Sequence, residues 1–478
     1  MRDVTGLTFD SKKVEAGQVF VAIKGDRADG HDYLAEVCKT DVAGVVVEDA
    51  KRVPTDFNGA ILVVENARVA LSQLAARYYG NPAAKLFCVA ITGTSGKTST
   101  SYLVEHILNS FGMKTGVIGT VNHHIGEQVW PSELTTPDPV TLQKRLREFV
   151  AVGGKALAME VSSHALEQGR VDGIPFDVGV FTNLSREHLD YHSTIEKYFA
   201  AKERLFRVLP ALHPQKNVFA VLNANDEWVN KTEVAPNVHV IRFGEVKSDF
   251  QFQIQEMGFD FTRFHLLTSR GAVQVELPLA GRHNVYNAVA ALAVGVAAGA
   301  ALETCVAALK NFRGIPGRLQ PVPNALGRHV FVDYAHKPEA LREVLKLLNH
   351  VRETGHLKSK IITVFGCGGD RDRGKRPIMG EIAASLSDIV VVTSDNPRSE
   401  SPETIVSEIL AGVPKDLSSS KVLVEIDRRK AIQRAFELSG SNDVILIAGK
   451  GHESYQILGD KRIPFDDVAI AGELMNGV

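Results

Sequence analysis

The chain has 478 residues, 54 Lys and Arg against 56 Asp and Glu, and 44% hydrophobic residues. At about 100–200 residues per domain, this length leads to about three domains, each with its own core. A net charge of -2 excludes a generally basic nucleic-acid binder. Cys38, Cys88, Cys305 and Cys367 lie far apart with no CxxC and no disulfide-like spacing, so a reducing, cytoplasmic compartment is expected.

The start, MRDVTGLTFDSKK, is charged from its first residues and does not read as a signal peptide. Short apolar runs follow at Val19 to Ile23, Val45 to Val47 and Ile61 to Val64. A helix-period segment, Val69 to Tyr79, then runs into the turn Gly80-Asn81-Pro82, a domain boundary. From Phe87 apolar strands alternate with helices: Phe87 to Ile91, Leu157 to Met159, Val178 to Phe181, Val218 to Leu222 and Val238 to Ile241. That alternation predicts βαβ units and a mostly parallel sheet. Phe250 to Leu279 alternates apolar and polar residues and reads as an antiparallel flap. Ala288 to Leu302, Ala/Gly-rich and 15 residues long, is too short for a bilayer and predicts one closely packed core helix.

Gly314-Ile315-Pro316-Gly317 marks a second break. Strands follow at Val330 to Val332, Ile361 to Phe365, Ile389 to Thr393, Val422 to Ile426 and Val444 to Ile447, with helices such as Pro338 to Leu348 and Arg428 to Leu438 between them. The expectation is an α/β protein of three domains: a small N-terminal α/β domain (1–82), a central P-loop-type domain with a mostly parallel sheet and an antiparallel flap (83–314), and a Rossmann-like C-terminal domain (315–478).

The sharpest local signal is Gly93-Thr94-Ser95-Gly96-Lys97-Thr98-Ser99, between an apolar strand and a helix-compatible run. Glycines admit phosphate to the backbone N–H groups, the helix N-terminus favours negative charge, Lys97 reaches terminal phosphates and Thr98 suits Mg²⁺. The spacing is short of the full Walker pattern, because its first glycine falls on Ile91; the competing reading is a Gly-rich turn. Glu160, in MEVSSH at the end of another strand of the same sheet, is placed near that loop and suits a hard cation; otherwise it is a structural Glu beside a capping Ser pair. FTNLSREHLDYH, Phe181 to His192, is dense in polar groups after a strand and is a metal or substrate candidate. In the last domain, strands end in DYAHK, GCGGDRDR, DNPR and GKGHE, which together predict a binding surface on one sheet edge. Arg371 and Arg398 suit carboxylates and Glu453 an ammonium, although any one of them alone reads rather as a surface ion pair of little worth.

These segments, with TTPDP, YFAAKERLF, GRHNVYNAVAA, GIPGRL and AGKGHESYQ in the same order, resemble the Mur ligases, in the MurE branch that adds the third amino acid to UDP-MurNAc-L-Ala-D-Glu using ATP. The resemblance runs from Phe9 to Glu453. It implies a UDP-sugar-binding first domain, an ATP-binding second and an amino-acid-binding third. Gly93 to Ser99, Asn284, Asn287, Arg318 and Asp333 would bind ATP. Thr98, Glu160, His188 and a carbamylated Lys202 would hold two Mg²⁺, with Lys97, Lys202, His188 and Glu160 as the catalytic set. Ser11, Thr135, Thr136, Ser162, Gln168 and Arg170 would hold the UDP-MurNAc-dipeptide. Arg371, Asp395, Asn396, Pro397, Arg398, Gly449 and Glu453 would hold meso-diaminopimelate, whose distal carboxylate Arg398 can pair, whereas L-lysine lacks that group. Leu134 departs from some relatives that carry Asn there, and the start implies that the leader common in relatives is short or absent.

The partners expected are small molecules, with no nucleic acid and no membrane span, and a monomer is the expected state. Competing readings are the lysine-adding form of the same ligase, a folylpolyglutamate-type ligase, and a non-catalytic nucleotide-binding regulator on this scaffold. A P-loop GTPase is disfavoured, since no guanine-reading NKxD segment is evident.

Overall fold

The computed structural model describes residues 4–25, 28–269, 271–323, 327–414, 417 and 421–476; Met1 to Asp3 of the charged start lie outside them. The chain divides into two compact units, residues 1–252, 267–271 and 286–308 forming one, and 253–266, 272–285 and 309–478 the other.

In the first unit, short strands β1 (Gly6–Thr8), β2 (Gln18–Val21), β3 (Gly44–Val47) and β4 (Ala60–Val63) pair in parallel in that order. Successive side chains alternate faces: Phe20, Val45 and Val47 enter one cluster with Leu34 and Val37, while Val21 and Val46 pack with Ala67 and Leu71. Helix Ala67–Tyr78 starts where Asn66 accepts from the N–H groups of Arg68 and Val69, as an N-cap does. Buried Ser72 on this helix accepts from Gly173 N at 2.9 Å, tying the N-terminal sheet's helix to the segment after the MEVSSH motif.

The larger sheet contains β5 (Phe87–Thr92), β6 (Thr115–Ile118), β7 (Asn122–Ile125), β8 (Gln128–Pro131), β9 (Ala156–Glu160), β10 (Val178–Phe181), β11 (Val218–Asn223), β12 (Val238–Gly244), β13 (Phe250–Met257), β14 (Thr262–Thr268) and β15 (Gly271–Leu277). Its order is β15-β14-β13-β12-β11-β10-β5-β9-β6-β7-β8. Strands from β12 to β6 are parallel, and β7 and β8 extend them as an antiparallel hairpin. Central strands such as β5 are buried on both faces, which is why Val89, Ala90 and Ile91 form a continuous apolar run. Because β5 sits between β10 and β9, Ile91 lies opposite Glu160 and Thr92 opposite Phe181. Three polar strand ends therefore meet at one edge.

Strands β6 to β8 fall in a stretch where sequence patterning suggested none. The expected single helix Ala288 to Leu302 is also corrected. The helix begins earlier, at Arg282, and ends at Ala297; a second helix spans Leu302–Leu309. Gly299, at φ +94°, supplies the left-handed residue that stops the first helix, and Ala300 N turns back to Gly295 O at 3.0 Å.

In the second unit β16 (Gln320–Pro321), β17 (His329–Asp333), β18 (Ile361–Phe365), β19 (Ile389–Val392), β20 (Val422–Val424) and β21 (Val444–Ala448) form a sheet ordered β16-β17-β21-β18-β19-β20. All its pairs are parallel except β16 with β17. Ile361 and Phe365 face one core, Ile362 and Val364 the other. β21, last in sequence, lies between β17 and β18 and so delivers its loop amid theirs. The hairpin β22 (Tyr455–Leu458) with β23 (Lys461–Pro464) follows. Among the described residues no helix is long and apolar enough to cross a membrane.

Candidate active site

Gly93 (φ +143°) and Gly96 (φ +86°) give the loop after β5 its shape. Gly96 is the N-cap of helix Lys97–Ser110 and no side chain caps it, so the first amides of a long helix are left for an anion. Lys97 Nζ donates to the carbonyls of Gly93 and Thr94, both at 2.9 Å, folding its ammonium over the loop. The loop is braced from the end of β10: Thr182 Oγ1 donates to Ser95 O at 2.6 Å. Asn183 Oδ1 accepts from Ser95 N at 3.0 Å, and Asn183 O accepts from Thr94 N at 2.9 Å. Thr98 and Ser99 are buried at the helix start. Asn287 stands against the same turn, because a Cβ on Gly96 would meet its Oδ1 at 2.5 Å, and Thr100 Oγ1 donates to that oxygen at 3.3 Å.

Glu160 is buried, and its carboxylate is held by Thr120, whose N donates to Oε1 at 2.9 Å and whose Oγ1 lies 3.1 Å from Oε2. A carboxylate only accepts, so Thr120 donates there; Thr135 Oγ1, 3.1 Å away, then donates to Thr120. Thr136 Oγ1 donates to Glu160 O at 2.9 Å and accepts from Ser162 N at 3.0 Å. Arg170 continues the chain, donating to Thr136 O at 2.9 Å and to Gln168 Oε1 at 2.6 Å, while Gln168 Nε2 meets Tyr191 Oη at 3.1 Å. Thus Thr135, Thr136, Ser162, Gln168 and Arg170 form one hydrogen-bonded row running from Glu160. Ser11 does not join it. It opens the short turn Ser11–Lys13, capped by Asp10.

Helix Ile195–Ala211, capped by Thr194, carries Tyr198 and Lys202 one turn apart on one face. Lys202 is fully buried; its Nζ donates to Gly93 O at 3.0 Å and lies 4.6 Å from the centre of the Tyr198 ring. Burial, and then the nearby Lys97 charge, hold its amine well below the usual lysine range. His188, in a left-handed conformation (φ +56°), places its ring 6.0 Å from that of Tyr198 and 5.0 Å from that of His164.

No cluster of three or more His, Cys, Asp or Glu stands ready to hold a metal among the described residues. What exists is a buried carboxylate with only neutral donors, a helix-start threonine and open helix amides. That set suits Mg²⁺, which takes one or two carboxylates and completes its shell with phosphate oxygens.

In the second unit, Asp333 accepts from Leu319 N at 2.7 Å and Ala335 N at 2.8 Å. Burial raises its pKa, opposed by the Leu319 N–H and the Arg318 charge. The Arg318 guanidinium lies 5.5 Å from the Tyr334 ring centre, and Asn284 Nδ2 donates to Ala280 O at 2.8 Å. Asn396 is the hub of the DNPR segment: its Nδ2 donates to Glu453 Oε2 at 2.8 Å, and its Oδ1 accepts from Ile457 N at 3.0 Å and Lys450 Nζ at 3.3 Å. Lys450 Nζ also reaches Glu453 Oε2 at 3.3 Å, so Glu453 is shared rather than free. Gly449 (φ +117°) must be glycine, since a Cβ there would meet Asp395 Oδ2 at 2.6 Å. Pro397 is buried. Arg398 (φ +53°) donates Nη1 to Gly369 O at 2.8 Å, and exposed Arg371 turns Nη1 to Asp370 O at 3.0 Å.

Thr120, Thr182, Asn183 and Lys450 hold these groups in place, and sequence reasoning assigned none of them a role. Lone polar residues beside a motif carry no pattern; Thr182, Asn183 and Lys450 lie inside the polar segments FTNLSREHLDYH and GKGHE, and Thr120 lies in none.

A phosphate loop braced at the switch of a parallel sheet, with a buried carboxylate and lysine beside it, defines a phosphate-handling α/β enzyme. Family models match along the chain: Mur ligase family, catalytic domain (residues 3–79), Mur ligase middle domain (91–295), and Mur ligase, glutamate ligase domain (317–451). A UDP-N-acetylmuramoyl-L-alanyl-D-glutamate–2,6-diaminopimelate ligase of Geobacter metallireducens is 42% identical, over 97% of this chain and 93% of the relative. One of the same name from Bacillus cereus is 40% identical, over 99% and 94%. A solved structure of a ligase with that name superposes with TM-score 0.74 at 33% identity, covering 99% of this chain and 94% of the other. A MurF ligase from Thermotoga maritima, solved with ADP, shares the fold alone at TM-score 0.60 and 21% identity. The chain belongs to the Mur ligase family, and it is an ATP-dependent ligase.

Proposed function

We propose that this ligase joins meso-diaminopimelate to UDP-MurNAc-L-Ala-D-Glu, building a peptidoglycan precursor, as a monomer in the cytoplasm. The observation that carries the reading is the hydrogen-bonded row from buried Glu160 and Thr136 to the partly exposed Thr135 and Arg170, which continues the strand edge holding the phosphate loop. A carboxylate bound along that row would lie beside the terminal phosphate of ATP bound to the loop.

Amide formation from a carboxylate and an amine in water is uphill, so the carboxylate is first activated. A D-Glu γ-carboxylate oxygen attacks the γ-phosphorus and ADP leaves, giving an acyl phosphate. The amine then attacks the acyl carbon, loses a proton, and phosphate departs with its bonding electrons. Lys97 and the open amides of helix Lys97–Ser110 draw charge off the transferring group, and Arg170 orients the dipeptide carboxylate. Thr98, Glu160, His188 and carbamylated Lys202 would hold two Mg²⁺, whose charge would lessen the repulsion between phosphate and carboxylate. Asn287, Asn284, Arg318 and Asp333 are assigned to ATP, and Ser11 to the uridine end. Arg371, Asp395 to Arg398, Gly449 and Glu453 are assigned to the amino acid, and the domain ranges 1–82, 83–314 and 315–478 to binding the UDP-sugar, ATP and the amino acid, respectively.

The test is mass spectrometry of the product from ATP, Mg²⁺, UDP-MurNAc-L-Ala-D-Glu and equal meso-diaminopimelate and L-lysine. The diaminopimelate adduct is expected. A lysine adduct overturns the substrate assignment, and no adduct overturns the ligase assignment in favour of a regulator.

A further inference from the structure

Arg376 has no exposed side-chain surface, yet none of the roles above uses it. Its Nη1 donates to Glu400 Oε2 at 2.8 Å and Glu408 Oε2 at 2.6 Å; its Nη2 donates to Glu400 Oε1 at 2.8 Å and to Gly368 O at 3.1 Å. The next carbonyl along, Gly369 O, accepts from Arg398 Nη1 at 2.8 Å. Two guanidiniums therefore hold consecutive carbonyls of one glycine pair. That pair has no slack: Gly369 N donates to Asn396 O at 2.9 Å, and a Cβ on Gly369 would run into the Pro397 carbonyl. Glu400 closes the ring, because its Oε1 also accepts from Asp370 N at 2.6 Å, and Ser399 Oγ donates to Asp370 Oδ1 at 2.7 Å. The remaining donors of Arg398, Nε and Nη2, make no hydrogen bond among the described residues, and its side chain is half-buried on a platform that Arg376 braces.

We infer that Arg376 is a positioning residue for amino-acid selection. By pinning Gly368 and Glu400 it sets where Arg398 presents its charge, and hence the preference for an amino acid with a distal carboxylate. This rests on the substrate reading above. A planar fork is needed, because four hydrogen bonds to four separate oxygens leave from Nη1 and Nη2, whereas an ammonium has three donors on a single nitrogen.

The experiment compares wild type, Arg376→Lys and Glu400→Gln for steady-state constants with each substrate, for the ratio of kcat/KM between diaminopimelate and L-lysine, and for Tm. In R376K, KM for diaminopimelate is expected to rise about tenfold and the ratio to fall about tenfold, as when a supporting hydrogen bond is lost. KM for ATP and for the UDP-dipeptide should stay within about twofold. E400Q should shift the same constants in the same direction, and it decides the matter if R376K does not fold. Unchanged constants, or an equal loss with every substrate alongside a lowered Tm, overturn the inference. A wild type inactive with diaminopimelate sinks the substrate reading instead. In that case, the position of Arg398 in an R376K crystal structure decides the positioning claim: displacement supports it, and an unmoved Arg398 overturns it.

Discussion

Lys202 Nζ donates to the carbonyl oxygen of Gly93, the first glycine of the phosphate loop, at 3.0 Å. A fully buried amine, lowered well below the lysine range by burial and the nearby Lys97, is neutral and nucleophilic far more of the time than an exposed one. Such an amine adds to CO₂, losing a proton and gaining a carboxylate that can hold a cation. The expected outcome is a carbamate ¹³C resonance when the protein is equilibrated with ¹³C-bicarbonate, absent from Lys202→Met, together with a loss of turnover of at least about a hundredfold. A Lys202→Met variant with wild-type turnover contradicts it.

Thr120 supplies both donors to the Glu160 carboxylate and links it to Thr135. Thr120→Val keeps the shape and the main-chain donor but removes the hydroxyl. Turnover should fall roughly tenfold while Tm changes little, as when a supporting partner of a metal-binding carboxylate is lost. Equal turnover in the two proteins would show that the hydroxyl is idle.

His123 on β7 is buried opposite Trp130, with no hydrogen-bond partner at either ring nitrogen. Burial, then the charge of Arg145 and then that of His124, hold its pKa down at about 4. The unfolded chain binds a proton near pH 6.5 that the folded chain refuses until about pH 4, so stability rises with pH across that window and is lost as pH falls through it. His123→Leu should flatten the dependence of the unfolding free energy between pH 4 and 6.5, read by urea denaturation. An unchanged slope counts against the assignment.

Gly380 lies in helix Lys375–Leu386 where a Cβ would run into the carbonyl oxygen of Ile409. Helix propensity favours alanine there by about 1 kcal/mol, whereas forcing an atom into backbone costs about 1–3 kcal/mol. Gly380→Ala should therefore lower stability in chemical denaturation despite its better propensity. A more stable variant would mean that this helix and helix Pro402–Leu410, which carries Ile409, part without strain.

Much of this organisation is written locally. The strands on either side of the phosphate loop and in the C-terminal sheet are apolar runs bounded by Gly and polar turns, and helix Arg428–Leu438 falls where its period places it. The hairpin of β7 and β8 is hidden because His123, His124 and Gln128 interrupt the alternation, and the burial of the two histidines comes from neighbours distant in sequence. The helix near Ala288 was misjudged at both ends because an all-round apolar segment has no face to mark its limits. At the site, motifs name the groups that act; Thr120, Asn183 and Arg376, which hold those groups still, are legible only once the chain is folded.

The most direct measurement is phosphate release from ATP with Mg²⁺ and UDP-MurNAc-L-Ala-D-Glu, comparing meso-diaminopimelate, L-lysine and no amino acid, in wild type and Arg398→Ala. The account predicts release that depends on diaminopimelate and is largely lost in the variant. Release that is equal with lysine, or that proceeds without any amino acid, contradicts it.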